Sequence, residues 1–233
     1  AIVARRKASM DAPEGILFEQ NLMAAGKGYF NIGDWEISPD NKLVAWAEDS
    51  VGRRQYRLLV KNLLTGEVYA DAVDNIEANI VWADDNKTLF YIEKDPVTLL
   101  SKRVKTHVLG NAAETDALVY EEADDSFYMG LSRTRSEKFI CISLESTVSS
   151  EQRCTSAAAP AGFKVIAKRE RDVEYSADHL NGRWVIRTNW NAPNFKLMTL
   201  AEDNALGHRD DWRDFIAHQN DVFIEGFELF NDF

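Results

Sequence analysis

The 233-residue sequence has only two cysteines, four histidines and five prolines, and each scarcity excludes something. Cys141 and Cys154 form no Cys-x-x-Cys and have no histidine-rich neighbourhood. A disulfide framework is therefore not expected, and a reducing, cytoplasmic setting is the default. His107, His179, His208 and His218 are too dispersed for a local metal motif, and no cofactor is implied. No apolar run approaches the ~20 residues of a membrane-spanning helix, so no membrane partner is expected. The opening Ala1-Ile2-Val3-Ala4-Arg5-Arg6 lacks the hydrophobic core of a secretory signal. Asn86-Lys87-Thr88 fits the glycosylation pattern, but nothing else points to secretion. Long stretches of helical periodicity are scarce as well.

What remains is rich enough to fold. The chain is 45% hydrophobic and 11% aromatic, too apolar for a disordered segment. Its 38 acidic and 27 basic residues give a formal charge of −11. That field repels phosphate backbones, which argues against a nucleic-acid partner; it would attract basic peptides, although an acidic balance of this size is more often a matter of solubility alone.

The informative feature is a repeat. Trp35-Glu36-Ile37-Ser38-Pro39-Asp40-Asn41-Lys42-Leu43-Val44-Ala45-Trp46 is one unit, and Ile80-Val81-Trp82-Ala83-Asp84-Asp85-Asn86-Lys87-Thr88-Leu89-Phe90-Tyr91 another. Weaker copies run from Tyr128 to Ile142 and from Val173 to Ile186. Each is an apolar strand, a polar turn and a second strand, recurring at about 45 residues, the spacing of propeller blades. Pro39 presets φ, and Asn181-Gly182 supplies positive φ for a tight hairpin. A second hairpin follows the first, through Thr65-Gly66-Glu67, with similar outer pairs at Ser101 to Leu109 and Phe195 to Leu200. Two hairpins make one four-stranded blade.

This pattern predicts an all-β partial propeller of about four antiparallel blades, spanning residues 28–73, 74–122, 123–168 and 169–220. A β-sandwich with irregular strands is the competing fold. Val222 to Phe233 reads as strand, turn and strand, the start of a fifth blade from residue 221, so the chain reads as a piece of a longer domain. Open blade edges then predict self-association. Trp35, Trp46, Trp82 and Trp184 recur at strand positions and are expected in the core.

Several strings resemble oligopeptidase B (protease II), of the prolyl oligopeptidase family. They are Ser38-Pro39-Asp40-Asn41, Ala47-Glu48-Asp49, Arg53-Arg54-Gln55-Tyr56, Asp95-Pro96-Val97-Thr98-Leu99-Leu100 and Tyr120 to Tyr128. Glu174 to His179 and Glu225 to Phe230 continue the series. The resemblance implies a seven-bladed propeller that covers the active site of an α/β-hydrolase domain, in a serine peptidase cleaving short peptides after Arg or Lys. The sequence holds no Gly-x-Ser-x-Gly nucleophile elbow, so no catalytic residue is expected here. The chain alone is expected to be inactive, its main partner being the missing catalytic domain. The rival reading is a free-standing propeller that binds proteins or peptides.

The resemblance also directs attention to an acid, Glu77, five residues before Trp82. Such a carboxylate either meets a basic substrate or an arginine of the missing domain, or is a solvated turn acid after Asp74-Asn75. Asp124 and Asp125, with Glu121 and Glu122, precede an inner strand and could add to a field favouring cationic peptides, or form a solvated loop. Arg53 and Arg54 are expected in interblade ion pairs, and Trp82 and His179 in structural roles. No metal ligand is expected.

Overall fold

The computed structural model describes residues 1–204 and 206–231, and the chain divides between Leu118 and Val119 into two compact units. In the first, β1 (Ile2–Arg6) and β2 (Glu14–Glu19) form a hairpin followed by a short helix, α1 (Gln20–Met23). Then come β3 (Asn31–Ile37), β4 (Leu43–Asp49), β5 (Tyr56–Asn62), β6 (Val68–Trp82), β7 (Thr88–Lys94), β8 (Ser101–Val108) and β9 (Ala117–Glu121). They lie in consecutive order in one seven-stranded sheet. The 15-residue strand β6 explains the continuity. Its first part pairs with β5 and its last with β7, and Ile76 faces both Tyr56 and Glu93.

The turn chemistry is as the residues demand. Asn41 and Asn86 occupy positive φ, at 61° and 59°, in the turns between β3 and β4 and between β6 and β7. Asparagine tolerates that region because its side chain bonds locally. Strands β4 and β7 bury four consecutive residues each, Val44 to Ala47 and Leu89 to Ile92, the mark of strands covered on both faces. Tyr56, Leu58, Ile76, Ile80, Trp82, Leu89 and Tyr91 form the core of this unit.

The second unit holds two four-stranded antiparallel sheets. One comprises β10 (Tyr128–Arg133), β11 (Phe139–Glu145), β12 (Ser150–Ser156) and β13 (Lys164–Val165). The other comprises β14 (Tyr175–Leu180), β15 (Arg183–Thr188), β16 (Lys196–Ala201) and β17 (Arg213–Ile216). Asn181 and Gly182, both at positive φ, form the two-residue turn between β14 and β15. Trp184 packs against Phe139 with ring centroids 4.9 Å apart, inside a core that includes Ile186, Met198 and Trp212. Successive four-stranded antiparallel sheets, met in order along the chain, are the architecture of a partial β-propeller.

Three sequence expectations need correction. Cys141 and Cys154 are joined in a disulfide. They sit 13 residues apart, but the β11–β12 register places them directly opposite each other, a proximity that spacing does not reveal. The ground for a reducing compartment is thereby removed. Residues 223–230 form no strand. This segment meets side chains in place of a ladder: Arg187 Nε donates to the Ile224 carbonyl at 2.7 Å, and Phe223 meets Phe195 edge-on. Asp232 and Phe233 lie outside the described residues. Trp46, Trp82 and Trp184 are buried as expected, whereas Trp35 is 39% exposed, because the register shift in β3 between Ile32 and Asp34 re-aims the strand.

Candidate functional site

In the first unit the candidate acid is Glu77, near the middle of β6. Glu77 is therefore a strand residue and not a turn acid. Its Oε1 lies 3.0 Å from Lys94 Nζ and accepts the Ser101 hydroxyl at 3.0 Å. Lys94 ends β7 and is only 7% exposed, so its ammonium needs this partner. Among the described residues Glu77 Oε2 has no partner, while the side chain keeps 28% exposure. One oxygen is held and the other is presented.

The same lysine reaches a second element. Lys94 Nζ donates to the Arg54 carbonyl at 3.0 Å. Arg54 closes a loop built on Asp49, a buried acid whose carboxylate accepts the Val51, Gly52 and Arg54 backbone N–H groups at 2.8 Å each. Arg54 takes φ 54° and Gly52 φ 85°. Arg53 and Arg54 are exposed. Among the described residues neither forms an ion pair, contrary to the expected interblade role. The chain's direction explains this, since the loop bonds through its backbone and turns both guanidinium groups outward. Trp82 is buried, and its Nε1 donates to the Glu36 carbonyl at 3.1 Å.

In the second unit the acidic run divides by burial. Glu122 is buried and takes Arg169 at 2.6 Å, the Tyr120 hydroxyl at 2.6 Å and the Asp124 backbone N–H at 2.9 Å. Burial pushes its carboxyl upward, but hydrogen bonds from Arg169 and Tyr120 outweigh this and hold it below the usual range. Burial, with the neighbouring Glu122 carboxylate, pushes Tyr120 up to about 12. Arg169 also covers the Phe127 ring at 3.9 Å, and its backbone N–H bonds Glu151. This cluster is an internal clamp. Asp124 is exposed and spends its carboxylate on Ser126, whose hydroxyl and backbone N–H lower its pKa. Asp125 is exposed too. From the sequence, Arg169, Glu151 and Lys94 had no assigned role, and Tyr120 and Asp49 were named only as parts of family-like strings. Their signal is weak because each partner lies on another strand.

His179 bears on catalysis. Its Nδ1 lies 2.8 Å from Ser136 Oγ and its Nε2 3.1 Å from Glu202, a serine–histidine–carboxylate row. The row cannot work as a nucleophilic triad. His179 is fully buried between Phe139 and Trp184, Nε2 is not aligned on the carboxylate, and Glu202 is taken by Lys138 at 2.9 Å. Burial lowers the imidazole pKa, and Ser136 sits within a turn where its hydroxyl also meets Thr134. The role is structural.

Comparison with known proteins supplies the wider frame. The profile of the prolyl oligopeptidase N-terminal beta-propeller domain matches residues 1–233. Dipeptidyl aminopeptidase BI of Pseudoxanthomonas mexicana is 60% identical over 234 residues, covering 100% of this chain and 32% of the relative. Protease 2 of Moraxella lacunata is 28% identical over 205 residues, covering 84% of this chain and 30% of the relative. Oligopeptidase B from Leishmania major matches with a TM-score of 0.85 at 26% identity, over 95% of this chain and 31% of that one. The chain thus spans about a third of the length of these relatives.

Proposed function

The chain belongs to the family of prolyl oligopeptidase N-terminal β-propeller domains, and from that premise we propose that it is the substrate-gating region of a longer serine peptidase that cleaves short peptides after Arg or Lys. Its partner is the catalytic domain of the same protein, which supplies the triad; this chain contributes selection. The observation that carries the reading is Glu77, with Oε1 held by Lys94 and Ser101 and Oε2 presented. A carboxylate with one oxygen fixed and the other presented attracts a guanidinium or ammonium group, more strongly as the site dries on substrate entry. Lys94 limits that attraction by offsetting part of the charge. Asp124 and Asp125, both exposed, add negative charge to the second unit that favours cationic peptides. Kept apart from its parent, the chain covers its open sheet edges by self-association. The Cys141–Cys154 disulfide favours an oxidising compartment over the cytoplasm.

The test is Glu77→Gln in the full-length peptidase, comparing peptides with Arg or its uncharged isostere citrulline before the cleaved bond. A charge-assisted hydrogen bond is worth about 1.5–3 kcal/mol, so the preference for Arg in kcat/KM should fall roughly 10- to 100-fold. Acetylated and free-amine versions of each peptide separate side-chain capture from capture of the amino terminus, an alternative raised by the name dipeptidyl aminopeptidase carried by one relative. An unchanged Arg-to-citrulline ratio removes Glu77 from the site.

A further inference from the structure

The arginine loop beside Glu77 has a chemistry that cation capture does not use. Arg53 and Arg54 are adjacent and exposed, and among the described residues their guanidinium groups have no ion-pair partner. The chain carries 38 acidic residues against 27 basic ones, so unpaired neighbouring arginines stand out in it. The loop that bears them is not loose. Asp49 takes three of its backbone N–H groups, and Lys94 Nζ fixes the Arg54 carbonyl. The same Nζ holds Glu77 Oε1. The Arg54 carbonyl oxygen and the Glu77 carboxylate each lie 3.0 Å from one ammonium group, so the loop and the acid are near neighbours in a fixed relation.

We propose that Arg53 and Arg54 form, with Glu77, a two-signed peptide site in which the arginines bind the free α-carboxylate at a peptide's C-terminus. The inference rests on the reading of Glu77 as a cation contact and extends it to the opposite charge. A guanidinium suits this task because its planar fork matches both carboxylate oxygens. Preorganisation by Asp49 and Lys94 means that little backbone order is lost on binding. A ligand that satisfies both signs is a short basic peptide with its end near the basic residue. An interior stretch of a long chain offers no carboxylate there, so the site favours short substrates by chemistry as well as by access.

The experiment uses the full-length peptidase and two peptides that differ only in a C-terminal acid or amide, each cleaved at the same internal Arg. The wild type should show a KM roughly fivefold lower for the acid, the scale of an ion pair that remains partly exposed, with kcat unchanged. Arg53→Gln alone, and Arg53→Gln with Arg54→Asn, should abolish that difference. Asparagine is used at residue 54 because it accepts positive φ. The absence of an acid–amide difference in the wild type, or its survival in both variants, overturns the proposal. The Arg-to-citrulline ratio, measured on the same proteins, should stay as in the wild type. If that ratio is flat while the acid–amide difference is present and lost in the variants, the arginine site stands and the Glu77 reading falls.

Discussion

Replacing Tyr175 by Phe tests how the second unit is held together. The Tyr175 ring is 5% exposed and meets Trp212 edge-on at 5.7 Å, and phenylalanine keeps both features. Only the hydroxyl is lost. That hydroxyl donates to the Ala167 carbonyl at 2.6 Å and accepts the backbone N–H groups of Gln152 at 2.8 Å and Ala167 at 3.2 Å. One atom therefore satisfies three backbone groups on two segments. A buried polar group left unpaired costs about 1–3 kcal/mol, and partial relaxation makes about 3 kcal/mol a fair total. In a chain of this size each kcal/mol moves Tm by about 2–4 °C, so a fall of about 10 °C is expected. A pH signature accompanies it. Burial pushes the Tyr175 phenol up to about 12 from its ordinary 10.0. The folded state therefore binds the proton more tightly than the unfolded state. The associated stability is complete below pH 10 and lost as pH rises towards 12. The phenylalanine variant should lack that part of the alkaline slope. Urea titration followed by tryptophan fluorescence, at pH 7 and at several points between 9 and 12, reads both effects. A loss under about 1 kcal/mol at unchanged m-value would refute the three-bond assignment.

Two further outcomes follow from the same packing. Glu122→Gln should cost about 2–3 kcal/mol, less than the full loss of a buried pair because Arg169 retains Glu151 nearby. Glu122 titrates below its ordinary value when folded, so its contribution is present above pH 4.5 and lost as pH falls through the folded pKa. A double-mutant cycle with Arg169→Met checks the pairing, and a coupling indistinguishable from zero would exclude it. Protein isolated without reductant should show no free thiol, and two after reduction in denaturant. Replacing both cysteines by Ala should cost about 3 kcal/mol, as expected for closing a loop of this length; free thiols in the native protein would contradict the bridge.

How much of this was legible in the sequence depends on the range of the interaction. The hairpins were legible because their causes are local. Asn181-Gly182 needs only its own φ angles to turn the chain, and the apolar run from Leu43 to Ala47 marks a buried strand without knowledge of its neighbours. The disulfide was not legible, because pairing Cys141 with Cys154 requires the β11–β12 register. The candidate site was half legible. Glu77 was singled out through the family resemblance, but its pairing with Lys94 joins two strands, and no residue type announces which acid a lysine will choose. Arg53 and Arg54 were noticed but assigned to ion pairs, and the backbone route of their loop, set by Asp49 and by positive φ at Arg54, was not legible.

The repeat itself, however, held more information than was taken from it. Stacked repeats place equivalent positions side by side, so a residue's neighbour in the next repeat should lie about one period away. The contacts obey this. Asp40 N–H donates to Asn86, Trp82 Nε1 to the Glu36 carbonyl, and Ile80 N–H to Asp34, each across 46 residues. In the second unit Ser136 meets His179 and Arg135 N–H meets Asp178 across 43 residues, while Arg169 meets Glu122 across 47. Adding one period to Glu122 leads to the neighbourhood of Arg169, and adding one to Ser136 leads to that of His179. The same step applied to Glu77 leads to Glu122, not to a base. Glu77 therefore has no cation waiting at the equivalent place in the next repeat, and its neutralising partner comes from its own hairpin, 17 residues on, at Lys94. The two acids stand about one period apart in the sequence and differ in fate. Glu122 has both oxygens engaged, by Arg169, Tyr120 and the Asp124 N–H, whereas Glu77 keeps one oxygen without a partner among the described residues. That difference makes Glu122 part of an internal clamp and is the ground on which Glu77 is proposed as a substrate contact.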